Sequence, residues 1–266
     1  MIYRIDEFIE NHINPITMRE YDKSWLVLVL TDSADYEKMC GSNCGCAYTV
    51  KISRTRCREW KMAVGDFIHF CESNQKNAIL VMSEAERGIV KEIYQGHAYD
   101  EPMLRDYEPA VLIHSTPMQN WEQIQRDGML KSWNKLKKEN IIREEQPIGS
   151  RLGDPMDFCD YIMFGGGVTG EIVVNSKQSG KIEMDIDAEY QTGARMYFDA
   201  EKMARDGRLI RDGCHIKVKD TLPLHPYLIW SATWKEAGLN SQISTPKIFA
   251  QKCDGQFKKQ CGFDLL

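Results

Sequence analysis

Ala110-Val111-Leu112-Ile113-His114-Ser115-Thr116-Pro117-Met118 opens the segment in which the chain changes its pattern. Ala110 to Ile113 is a short apolar run of strand-forming residues. Met118, Trp121 and Ile124 then follow at helical spacing until Gly128. Thr116 is the expected N-cap, and Pro117, lacking an N–H and with a fixed φ, is the expected first helical residue. His114 and Ser115 therefore stand where a strand gives way to a helix. Further on, the pattern predicts a polar helix over 132–138 and a long loop over 139–158 containing Gly149, Gly153 and Pro155. Strands are predicted over 161–164, 171–174, 182–186 and 195–198. A helix over 200–206 is capped by Asp199 and stopped by Gly207, and a hairpin turns through Asp212-Gly213. Residues 247–266 carry no clear period.

Upstream, Trp25-Leu26-Val27-Leu28-Val29-Leu30 reads as a buried strand, with others predicted over 47–52, 64–70, 78–82 and 89–94. Short strands broken by turns predict a small β-rich domain over 1–100, with a barrel as one form it can take, and a polar boundary from Gly96 to Pro102. Val64-Gly65-Asp66-Phe67, preceded by Trp60, resembles the turn and strand of PUA-like RNA-reading barrels, although Gly-Asp before a strand is also ordinary turn chemistry.

A chain of 266 residues, 42% hydrophobic and 27% charged, can bury two modest cores. The net charge of -5 argues against tight general binding to duplex nucleic acid, while leaving room for reading a short single strand. No apolar run approaches the roughly 20 residues needed to span a bilayer, and Met1-Ile2-Tyr3-Arg4 lacks the look of an export signal. A cytoplasmic protein with no membrane partner is expected. The nine cysteines then read as reduced thiols. Cys40, Cys44, Cys46 and Cys57 make C-x3-C-x-C-x10-C, conceivable as a thiolate zinc site but not the usual paired knuckle, so no metal is assigned.

His114-Ser115-Thr116, together with Tyr197-Phe198-Asp199-Ala200-Glu201 and Asp212-Gly213-Cys214-His215-Ile216, resembles the ADP-ribosyltransferase superfamily. The likeness is to RNA 2′-phosphotransferase-like and DarT-type catalytic domains. It implies an α+β fold: an ADP-ribosyltransferase-like split β-sheet domain over 110–235, preceded by the β-rich domain and followed by a tail over 236–266. It also implies NAD as co-substrate. Cleaving the bond from nicotinamide to ribose develops oxocarbenium character, which a site must stabilise. By the resemblance, His114 holds a ribose hydroxyl, the backbone of Ser115 grips the nicotinamide amide, and Thr116 belongs to the same cofactor site or caps the helix. Tyr161 is the candidate for stacking on nicotinamide, and Arg151 for the pyrophosphate. Glu171 or Glu183 is the candidate catalytic carboxylate, and Arg195 and Arg211 are candidate anion-binding arginines. His215 falls in the hairpin. Each of these residues also has a structural reading, as core or solvated surface.

The activity the resemblance implies is mono-ADP-ribosylation of a nucleic acid or protein, in the setting of a toxin or phage-defence effector. RNA or DNA is a candidate acceptor and an antitoxin or other regulatory protein a candidate partner. Two alternatives stay open: an RNA 2′-phosphotransferase-like enzyme, and a non-catalytic module that binds NAD or RNA. The winged-helix half expected of a full phosphotransferase is not evident in the sequence.

Overall fold

The structure, a computed structural model, describes every residue except 10, 23, 43–46, 98, 100, 143, 145 and 263–266, and of Arg151, Leu152 and Met156 only the backbone. Helices and sheets are mixed along the chain. It divides into two units. The first comprises Met1–Glu101, Gly149–Phe158 and Ile210–Ile216; the second comprises Pro102–Ile148, Cys159–Leu209 and Lys217–Leu266.

The first unit is built on strands β1 (Ile2–Ile5), β2 (Trp25–Thr31), β3 (Lys38–Gly41) and β4 (Tyr48–Ser53), helix α1 (Trp60–Ser73), strand β5 (Asn77–Val81) and helix α2 (Glu84–Gly96). These strands form one sheet in the order β1-β5-β2-β4-β3, in which only β3 runs antiparallel to its neighbour. The continuous apolar run of β2 suits a parallel strand covered on both faces, and Val27 and Leu28 are fully buried. The expected β-rich or barrel-like domain is therefore corrected to a mainly parallel sheet with helices. The strand expected over 64–70, with its PUA-like turn, lies inside α1. Its buried residues are Ala63, Val64, Gly65, Asp66, Phe67, Phe70 and Cys71, and the apolar side chains among them are spaced as a helical face that local alternation hid. The strand expected over 89–94 lies inside α2. That helix starts with a capping box: Ser83 accepts from the Glu86 N–H, and the Glu86 carboxylate accepts from the Ser83 N–H.

The second unit contains β6 (Val111–Thr116), α3 (Met118–Asp127), β7 (Met129–Lys131), α4 (Trp133–Lys138), β8 (Tyr161–Met163), α5 (Thr169–Ser179), β9 (Ala194–Asp199), α6 (Ala200–Arg205), β10 (Ile216–Lys219), β11 (Thr221–Pro223), β12 (Leu228–Ala232) and α7 (Pro246–Cys261). Strand β9 is central to an antiparallel sheet, with β12 on one side and β6 on the other; Ser115 stands opposite Arg195 and His114 opposite Met196. Three smaller antiparallel pairings are β8 with β10, β7 with β11, and Tyr190–Gln191 with Ile243–Ser244. Thr116 remains in β6, opposite Ala194, and caps nothing. Pro117 takes the N-cap position of α3, and Gly128 ends that helix with φ 66.

Two further expectations fail here. Residues 171–174 belong to α5: Glu171, Val174 and Asn175 are buried at helical spacing, and tertiary packing overrides the strand preference of Ile172-Val173-Val174. No strand forms over 182–186. Residues 236–262 of the expected tail pack into this unit, and 263–266 lie outside the described residues. In α7, Thr245 caps the start, Pro246 takes the first turn, and Phe249, Cys253 and Phe257 pack with Tyr197, Val111 and Ile113 in the core of this unit.

Candidate functional site

Strand β6 is the edge of its sheet. The Ala200 N–H bonds to the Ala110 carbonyl, so even-numbered residues of β6 face β9, whereas the Ile113 carbonyl accepts from the Gly165 N–H on the outer side. By that alternation the N–H and C=O of Ser115 point to the outer side too. There they have no backbone partner among the described residues. Gly170, in the first turn of α5, lies against Ser115; a Cβ there would stand 2.7 Å from the Ser115 Oγ, so only glycine permits the approach.

The half-buried His114 ring meets the Met163 carbonyl through Nδ1 at 2.9 Å. A carbonyl only accepts, so Nδ1 carries the hydrogen and Nε2 presents a lone pair. Nε2 has no hydrogen-bond partner among the described residues, and Phe164 stands edge-on to the ring at 6.1 Å. Burial lowers the imidazole pKa to about 4. The Met163 carbonyl opposes that shift and the Lys177 charge adds to it. His114 is thus a neutral acceptor at the head of the Gly165-Gly166-Gly167 loop.

Glu171 and Arg195, by contrast, are spent on each other. Both side chains are 0% exposed, and Arg195 Nη1 lies 3.3 Å from Glu171 Oε1. Glu171 also accepts from Ser115 Oγ at 2.5 Å and Tyr190 OH at 2.7 Å; Arg195 also donates to Asp254 and to the Gly167 carbonyl. Burial raises the Glu171 carboxyl, opposed by Arg195, Ser115 and Tyr190. Both charges are engaged inside the protein, and the pair reads as the internal brace of β6, α5 and β9. Tyr161 is also buried, with the Lys217 ammonium 4.5 Å from its ring centroid, which takes the face expected to stack on nicotinamide. Glu183 follows α5, ion-paired with Lys181, and Arg211 lies in a short strand of the first unit. Arg151 falls in a 3-10 helix, Ile148–Leu152, and its side chain lies outside the described residues.

The first unit holds a second constellation. The turn Asp212-Gly213-Cys214-His215 packs on α1. Gly213 has φ 88, and a Cβ there would meet the Ala63 carbonyl at 2.6 Å and Phe67 at 2.9 Å. Asp212 Oδ1 accepts the backbone N–H groups of Cys214 and His215, at 3.0 and 2.7 Å. Both its oxygens stand 3.2 Å from His215 Nδ1, and His215 Nε2 lies 3.2 Å from Cys40 Sγ on β3. Phe158 sets its ring edge-on against His215 and against Tyr48.

The charges follow from this geometry. A hydrogen bond with Cys214 leads the forces that hold the Cys40 thiol below its ordinary range, against burial and with help from His215 and Tyr48; Cys214 is pushed up in turn. Burial disfavours a charged His215, but the Asp212 carboxylate and Cys40 outweigh it and lift the imidazole to about 10. Burial, then the Cys40 charge, raises Asp154 to about 6. The sequence spacing pointed to neighbours of Cys40. Cys57 is buried outside this group, Cys44 and Cys46 lie outside the described residues, and the partners found are Cys214 and His215, with His215 175 positions downstream. A Cys-His dipeptide after an Asp-Gly turn was the available signal.

Among the described residues no helix is long and apolar enough to cross a membrane. Compared with protein-family models, with curated proteins and with solved structures, the chain has no match in any of the three.

Proposed function

We propose that the second unit binds NAD at the outer edge of β6 and transfers its ADP-ribosyl group to a nucleic acid or protein acceptor. The observation that carries this reading is the pairing of a neutral His114, Nε2 free to accept, with an adjacent Ser115 whose backbone N–H and C=O are both unspent on the open edge. A ribose hydroxyl suits the imidazole nitrogen. A carboxamide, with one acceptor and two donor hydrogens, suits the two backbone groups of one residue in an extended strand. Unpaired backbone groups are costly in a buried place, and Ser115 is 6% exposed; a ligand amide satisfies them. In the transfer, the bond between the ribose C1′ and the nicotinamide nitrogen breaks with its electron pair going to nicotinamide. The acceptor's oxygen or nitrogen bonds to C1′ and loses a proton.

One observation favours a second reading, an NAD-binding module without turnover. Glu171 and Arg195, the two charged residues expected to act on ribose or phosphate, are enclosed in their own network. The test is incubation of the purified chain with NAD labelled in the adenylate phosphate, reading nicotinamide release and label on RNA, DNA and protein fractions. Turnover is expected, falling about a hundredfold in His114→Ala, as for loss of a group that positions the reacting sugar. Saturable NAD binding without nicotinamide release establishes the second reading. Neither binding nor release sinks both.

A further inference from the structure

We infer that Cys40, Cys214 and His215 form a binding site for a thiophilic divalent metal ion of the zinc class. This does not rest on the nicotinamide reading of the second unit. Two sulfur atoms and one imidazole nitrogen, one ligand atom from each residue, lie within 4.8 Å of one another. A tetrahedral zinc ion sets its ligand atoms about 3.8 Å apart for two sulfurs and about 3.5 Å for sulfur and nitrogen. The Cys40 Sγ to His215 Nε2 separation of 3.2 Å therefore needs to open by only tenths of an ångström.

The surroundings are those of a metal-bound imidazole. Asp212 accepts the Nδ1 hydrogen of His215, which turns Nε2 toward Cys40; a carboxylate behind a ligating histidine fixes its orientation and raises its basicity. Asp212 does this while holding the backbone of Cys214 and His215, so one side chain sets two ligands. The donor set is soft, two sulfurs and a nitrogen, which selects zinc over magnesium or calcium. Binding requires both sulfurs as thiolates and the imidazole Nε2 without a proton, so whatever protons these three atoms carry pass to solvent. Two thiolates then cancel the charge of the ion, which suits half-buried ligands.

Cys40, His215 and Asp212 also stand in the order of a nucleophilic triad. A nucleophile needs one thiol, however, and here a second, Cys214, has its sulfur within 4.8 Å of the first. The paired thiols favour chelation. Bound there, the ion would fasten the edge strand β3 to a turn 175 positions later in the chain, both ends of that long loop lying in the first unit.

The full chain, prepared from zinc-supplemented medium without chelator, is assayed for metal by mass spectrometry of the elements. About one zinc per chain is expected, retained in Cys57→Ser and lost in Cys40→Ser, Cys214→Ser and His215→Ala. Because those variants can fail to fold, wild-type protein is also stripped with chelator and titrated with Co²⁺. Tetrahedral d–d absorption with a thiolate-to-cobalt band supports the site. The inference is overturned if neither zinc nor these bands appear, or if a Cys214→Ser/His215→Ala double variant keeps its ion. It is equally overturned if Cys40 and Cys214 have lost two hydrogens to a disulfide in fresh protein, or if zinc leaves alkylation of Cys40 unslowed.

Discussion

The two histidines of interest have the same first contact and opposite outcomes. His114 and His215 each engage an oxygen through Nδ1, but for His114 it is the Met163 carbonyl and for His215 the Asp212 carboxylate. A carbonyl dipole does not overcome burial, so the pKa of His114 falls to about 4; a full negative charge does, so that of His215 rises to about 10. The first ring is left a neutral acceptor suited to a hydroxyl, the second a basic ring that becomes a strong metal donor once its Nε2 proton is displaced. Their neighbours differ in the same way. Around His114 the strong charges, Glu171 and Arg195, satisfy each other, and what is left open is backbone. Around His215 the side chains themselves converge, two sulfurs and a nitrogen. Chemistry in the first unit should thus depend on side-chain identity, and recognition in the second on the integrity of a brace.

The brace gives the largest expected effect. Arg195→Ala leaves Glu171 enclosed without its countercharge, and breaking a buried pair from one side costs about 3–5 kcal/mol. Urea unfolding should show that loss. Pairing the change with Glu171→Gln should recover part of it, because the stranded charge is gone. If Arg195→Ala unfolds with a midpoint within experimental scatter of wild type, Glu171 is not enclosed as described, and a catalytic role for it reopens.

Much of this architecture was legible before the structure. Gly128 at the end of α3, Asp199 capping α6, and the strands at 25–31, 48–53, 77–81 and 194–199 all follow from local residues. What failed was arbitration between periods over short windows. Residues 64–70 alternate well enough to pass for a strand, and only the longer spacing from Ala63 to Cys71 reveals a helix; Ser83 and Glu86 were an overlooked start signal for α2. The β-branched Ile172-Val173-Val174 was read by propensity, and packing decided otherwise. The place of His114 and Ser115 at the end of a strand before a helix was readable because it is a local feature. The fate of Glu171 and Arg195 was not readable, since their partners lie 24 and 59 positions away. The same holds for Cys40 and His215.

The next effect tests whether His114 stays neutral. Its pKa is about 4 folded against 6.5 for the ordinary imidazole. Above pH 6.5 both states are neutral and the group contributes no pH dependence. Between pH 6.5 and 4 the unfolded chain binds a proton that the folded one refuses, so stability falls as pH falls through that window. Discounting for partial exposure, the shift amounts to roughly 2–3 kcal/mol. Chemical unfolding of wild type and His114→Asn at pH 7.5 and pH 4.5 should show the gap between them changing by about that much, with the variant losing less on acidification. A gap that stays constant means that the folded imidazole titrates normally, and the neutral acceptor in the proposed nicotinamide site goes with it.

The smallest effect concerns the carboxylate that sets the two histidines apart. Asp212→Asn keeps an oxygen for the Cys214 and His215 N–H groups and for Nδ1, so the turn is conserved, but it removes the charge that makes the imidazole electron-rich. Outer partners of this kind are worth about 10–100-fold in metal affinity, or roughly 1.4–2.7 kcal/mol. Competition with a chromophoric zinc chelator measures that range directly. A weaker site with unchanged stoichiometry and unaltered unfolding of the metal-free chain assigns Asp212 an electronic role. Affinity equal to wild type would mean that the carboxylate only shapes the turn, and that the contrast between His114 and His215 comes from their surroundings at large rather than from the oxygen each one meets.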